Sequence, residues 1–97
     1  MIKRSKAAPG SVKVTFVVPV SECDRPVSVV GDFNGWDPLA SPLRKRSNGT
    51  RSVSIDLTEG AAHRFKYLDA AGEWFCDEDA DELVDNGFAS TDSLIVL

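Results

Sequence analysis

Four apolar residues at every second position, Val12, Val14, Phe16 and Val18, are the pattern that most narrows what this chain can fold into. Lys13, Thr15 and Val17 fill the gaps, and Pro19 ends the run. A period of two places the apolar set on one face of an extended strand, whereas a helix would scatter it around the axis. The alternation returns in Val53, Ile55 and Leu57, and again where Phe65 and Tyr67 oppose Arg64, Lys66 and Leu68. Residues 27–30 form a β-branched run, and residues 74–76 and 94–97 read as short strands. Asn48-Gly49 stands between residues 43–46 and 51–57 as a hairpin signal, and Thr58-Glu59-Gly60 marks the next turn. No stretch has the 3.6-residue period of an amphipathic helix. About seven short strands separated by turn signals imply an all-β, antiparallel β-sandwich.

The most informative local run is Gly31-Asp32-Phe33-Asn34-Gly35-Trp36-Asp37-Pro38, directly after the strand at 27–30. Glycine supplies positive φ, and Asp and Asn side chains bond the backbone two residues on, so the chain turns sharply here. The turn delivers an indole onto a loop. Trp74 follows a similar segment, Asp69-Ala70-Ala71-Gly72-Glu73. Two Trp on turns of one small β domain suggest a stacking platform, although each alone would serve equally well as a plug over the end of the sandwich. Lys66 lies outward on its strand because Phe65 and Tyr67 take the inward face.

At 97 residues the chain is one domain, and 42% hydrophobic content supports a packed core. Residues 1–10 carry Lys3, Arg4 and Lys6 without an apolar run, and read as a flexible N-terminal arm ahead of a domain at 11–97. A net charge of −4 argues against a nucleic-acid partner, and no apolar run reaches the roughly 18 residues that cross a membrane. Arg44-Lys45-Arg46 reads as the solvated end of a hairpin strand. Cys23 and Cys76 have no metal-ligand spacing and are expected as free thiols in a reducing cytoplasm.

Taken in order, Val29-Val30-Gly31-Asp32-Phe33-Asn34-Gly35-Trp36, Leu57-Thr58-Glu59-Gly60, Phe65-Lys66-Tyr67 and Gly72-Glu73-Trp74 resemble carbohydrate-binding module family 48. This glycogen-binding domain type occurs in AMP-activated kinase β subunits and in glycogen branching and debranching enzymes. The resemblance runs from Val12 to Leu97 and implies an immunoglobulin-like sandwich of the early-set type. It also implies that α-1,4-linked glucans are bound by aromatics at Trp36 and Trp74, by Lys66, and by Phe88, Ser90 and Asp92 just before the last strand. Two departures stand out. Asp92 is a carboxylate where the family often has an amide, and the acidic segment after Trp74 lacks the usual Asp-Pro.

The residues themselves suit a curved glucan, because a flat indole covers the apolar C–H face of a sugar ring while the hydroxyl rim stays wet. A catalytic reading fares worse. A glycosidase holds two carboxyl groups roughly 5–9.5 Å apart in a cleft, while the carboxylates of residues 77–85 lie in one hydrophilic segment, read as an irregular excursion through residue 88. His63, the single histidine, reads as a surface imidazole without triad partners. Asp77-x-Asp79-x-Asp81 lacks the glycine and the final glutamate of a calcium loop. No catalytic residue, metal or cofactor is therefore expected. The alternative function is a protein-interaction domain of the same fold, with the two Trp docking on a glucan-active enzyme or kinase partner.

Overall fold

The computed structural model describes residues 1–85, 87 and 90–97. Two antiparallel sheets face each other. The first runs β1 (Ile2–Lys6), β2 (Ser11–Pro19), β5 (Thr50–Thr58), β4 (Arg44–Lys45). The second runs β3 (Val27–Gly31), β6 (Ala62–Asp69), β9 (Thr91–Val96), β8 (Glu82–Asp85), with β7 (Trp74–Phe75) also paired to β6. A single 3₁₀ turn, Asp32–Asn34, is the helical element among the described residues, and no helix there is long and apolar enough to cross a membrane.

The alternating residues build the space between the sheets. Val14, Phe16, Val29, Phe65 and Ile95 are fully buried, and Val53 and Ile55 pack against them as partly buried neighbours. Phe16 from the first sheet meets Phe65 from the second with ring centroids 5.0 Å apart and planes at 64°, the edge-to-face arrangement that ring quadrupoles favour. Burying each such side chain stabilises the fold by about 1.5–3 kcal/mol. The all-β sandwich expected from the alternation is the observed architecture.

Three segments depart from expectation. Residues 1–10 are not a free arm: Ile2–Lys6 is strand β1, with Ile2 opposite Phe16 and Lys6 opposite Val12. Ile2 packs against the core, and Arg4 bonds Asp81 at 2.7 Å, tying the first sheet to the second. One apolar residue among charges is what an edge strand needs, since the charges discourage further pairing. The acidic excursion likewise contains a strand, β8, whose Glu82 to Asp85 pair with Leu94 to Thr91. Asp81 supports it by accepting the Val96 N–H at 2.7 Å.

The strand expected at 43–46 is split between the sheets. Ser41 and Leu43 run beside β3, through Val29 N–H to Ser41 O at 3.1 Å and Leu43 N–H to Val27 O at 2.9 Å. The chain then crosses over, and only Arg44–Lys45 pairs with β5. This crossover closes the open side of β3 and returns the Trp36 loop to the sheet.

Candidate functional site

Strand β6 sorts its side chains by parity. Phe65 and Tyr67 are buried inward, so Lys66 and Leu68 face outward. Residues directly opposite each other in neighbouring strands share a face. Leu68 is opposite Trp74 in β7, which puts Lys66, Leu68 and Trp74 on the outer face of the second sheet. Trp74 is 48% exposed there. Lys66 Nζ donates to Ser90 Oγ at 2.8 Å, joining two of the expected site residues across 24 positions of sequence. Asp92 occupies the outward register position opposite Val84 but is buried, at 5% exposure. Phe88 lies outside the described residues.

Trp36 reaches the surface differently. β3 and β7 flank β6 on opposite edges, and the Trp36 turn leaves the end of β3 at Gly31, the partner of Phe65. Gly35 and Trp36 are both in the left-handed region, at φ 69° and φ 58°. For a bulky L residue this conformation costs about 1–2 kcal/mol and persists only where the surroundings over-determine it. At 41% exposure the indole is not fixed by burial.

Polar bonds fix the turn instead. Trp36 N–H donates to Gly31 O at 2.9 Å. Asn34 Oδ1 accepts the Gly31 N–H at 3.0 Å, while its Nδ2 donates to Val29 O at 3.1 Å and Ser41 Oγ at 3.2 Å. Asp32 accepts from His63 Nδ1 at 2.7 Å and from the Arg64 N–H at 3.1 Å. His63 is thus not the surface imidazole its sequence position suggested. It is half-buried, its ring edge-on to Phe33 at 5.8 Å, and it sits inward opposite buried Ile95.

Trp74 has a comparable support. Asp69 is buried at the end of β6, where its Oδ1 accepts the Ala71 N–H at 2.9 Å and the Glu73 N–H at 3.0 Å, shaping the turn that leads into Trp74. Its other oxygen bonds the Arg25 guanidinium at 2.8 Å. That hydrogen bond, helped by the two backbone donors, holds the Asp69 carboxyl below the ordinary carboxylate range. A lowered folded pKa means the native state binds fewer protons than the unfolded chain. The contribution is complete above the free-Asp pKa of about 3.9 and disappears as pH falls through the folded value. Asp69→Asn should therefore lose stability at neutral pH and show a flatter decline than wild type below about pH 4. Urea unfolding between pH 7 and pH 3 checks this, and parallel pH curves for the two proteins would contradict it.

A further concavity lies elsewhere, beside the ends of β2 and β6. It is a groove of about 870 Å³ lined by Tyr67, Asp69, Asp77, Arg25 and one side of Trp74, but not by Trp36 or Lys66. Asp77 is buried in it and accepts the Tyr67 hydroxyl at 2.6 Å. Burial, reinforced by the Asp77 charge, pushes the Tyr67 phenol well above its usual range, so it remains a donor. Cys23 and Cys76, which also line this groove, are free thiols.

No protein-family model matches the chain. It is, however, similar to short segments of larger enzymes. The 1,4-alpha-glucan branching enzyme GlgB 2 of Xanthomonas campestris pv. campestris is 40% identical over 60 residues, which is 61% of this chain and 8% of that protein. The 1,4-alpha-glucan branching enzyme GlgB of Chlamydia caviae is 44% identical over 66 residues, covering 66% of this chain and 9% of the enzyme. That of Chlamydia abortus is 45% identical over 62 residues, covering 62% and 8%. These relatives are glucan enzymes. The chain spans less than a tenth of their length.

Proposed function

We propose that this domain is a non-catalytic carbohydrate-binding module of the family 48 type, which docks on α-1,4-linked glucans such as glycogen, starch or maltooligosaccharides. The observation that carries the reading is an indole, Trp74, standing 48% exposed on the same sheet face as a lysine already oriented by a serine hydroxyl. Similarity to segments of 1,4-alpha-glucan branching enzymes supports the choice of sugar. In such a site the indole covers the C–H face of one ring, and excluding that apolar area from water supplies most of the affinity. Lys66 has three ammonium donors, of which Ser90 takes one, leaving the others for sugar hydroxyls. Trp36 receives a second ring from across β6, so the two platforms suit a chain that curves. Ser90 orients Lys66, and the resemblance adds Asp92 and Phe88 to the residues that meet the glucan. The domain would accompany a glucan-active enzyme and bring it to its polymer.

Two platforms offset by ordering costs suggest a Kd of roughly 10 μM to 1 mM, raised in apparent strength by repeated sites on a polymer. A titration with maltoheptaose, followed by Trp fluorescence, should saturate in that range, while cellohexaose leaves the emission unchanged. Lys66→Ala should weaken maltoheptaose binding by about 0.5–1.5 kcal/mol, the value of a partly hydrated hydrogen bond. A flat titration with maltoheptaose sinks the reading, and the exposed indoles would then belong to a protein contact. Release of reducing sugar from amylopectin by the purified domain, abolished by a single carboxylate substitution, would refute the non-catalytic assignment.

A further inference from the structure

We infer that His63 and Asp32 are positioning residues for Trp36, clamping its turn to strand β6 and so setting where the indole stands relative to Lys66. The inference rests on the glucan-binding reading for what the indole does, but not for how it is held. Trp36 is half-exposed and in a conformation that bulky residues avoid, so its place must be imposed by the turn rather than by packing. The turn has two sets of side-chain anchors. Asn34 ties it back to β3 and to Ser41, which fixes its shape. Among the described residues, Asp32 is the side chain that ties it sideways to β6, through His63 Nδ1 and the Arg64 N–H, within three residues of Lys66.

The chemistry at His63 shows where that bond matters. A carboxylate only accepts, so Nδ1 carries the proton and donates it to Asp32. The other ring nitrogen, Nε2, is buried among the described residues with no hydrogen-bond partner. An apolar side chain would suit the contact with Phe33 and the inward position opposite buried Ile95 better, and would bury no unsatisfied nitrogen. What the imidazole provides in exchange is the bond to the turn. Phe33, stacked on core Phe16 at 5.7 Å, braces the ring edge and keeps Nδ1 aimed at Asp32.

The test is a double-mutant cycle on the whole chain. His63→Leu keeps apolar packing and removes the donor, whereas His63→Asn restores a donor near the Nδ1 position. Maltoheptaose affinity should fall about threefold to tenfold in His63→Leu and largely recover in His63→Asn. In a Trp36→Ala background the same leucine substitution should have no further effect, because nothing remains to be positioned. Acrylamide quenching of Trp36, read in a Trp74→Phe background, should increase with His63→Leu. Should the leucine variant not fold, Asp32→Ala breaks the same bond from its other end and is read in the same way. Unchanged affinity, or an equal loss with and without Trp36, overturns the inference. If the unsubstituted protein binds no maltoheptaose, the glucan reading fails by itself. The quenching comparison then decides: raised quenching supports the clamp and unchanged quenching refutes it.

Discussion

Replacing Trp74 with alanine should weaken maltoheptaose binding by about 1.5–3 kcal/mol, roughly tenfold to 150-fold, with little change in the unfolding midpoint. The expected loss is the apolar area that one indole withdraws from water when a sugar ring lies on it. Stability should hold because Trp74 is half-exposed on a short strand, and the residue beneath the turn that carries it is Asp69 rather than the indole. Trp36→Ala should lose a similar amount of binding, but its stability behaves differently. Alanine keeps the strain of φ 58°, whereas glycine accepts it freely. Trp36→Gly should therefore be at least as stable as Trp36→Ala while binding as poorly. Isothermal titration and urea unfolding measure the two quantities separately. If the two alanine variants sediment with glycogen as the unsubstituted protein does, the surface has been assigned wrongly. If they unfold, the indoles are core residues.

The strands that could be read from sequence are those that alternate over a buried face. β2, β5 and β6 announce themselves because half of their side chains must leave water. β1 does not, because an edge strand needs only Ile2 for its share of the core and uses charges elsewhere. β8 is hidden for the same reason inside an acidic run, and its pairing with β9 depends on backbone bonds that leave no mark on composition. The site divides similarly. The outward direction of Lys66 follows from Phe65 and Tyr67 alone, and Trp74 inherits its face from pairing with Leu68. The Asp32–His63 bond joins residues 31 positions apart by one hydrogen bond, which has no local signature. Asp69 was equally silent, since its Arg25 partner lies 44 residues away. Long-range polar contacts become visible only when the sheets have brought their strands together.

Gly31→Ala should be the most damaging small substitution in the domain, lowering stability by about 3 kcal/mol or preventing folding. The reason is space rather than backbone conformation, because Gly31 is extended, at φ −157°. A methyl group there would stand 2.7 Å from the Arg64 carbonyl oxygen, 2.7 Å from Phe33 Cε2 and 2.9 Å from Phe65 Cβ. Two of these three atoms belong to β6 itself or to the first atom of a fully buried side chain, so neither can swing away. Separating β3 from β6 would relieve the clash but would break the ladder between Gly31 and Phe65. It would also displace both backbone groups of Gly31 that hold the turn, the carbonyl bonded by Trp36 and the N–H bonded by Asn34. Any Gly31→Ala protein that does fold should therefore bind glucan weakly even with every site side chain present. Gly35→Ala is the control. It has open space around it and φ 69°, so it should cost only the conformational penalty of about 1 kcal/mol. Urea unfolding of the two variants side by side separates crowding from backbone strain. Equal midpoints for Gly31→Ala and the unsubstituted protein would mean that β3 and β6 do not approach each other as closely as described.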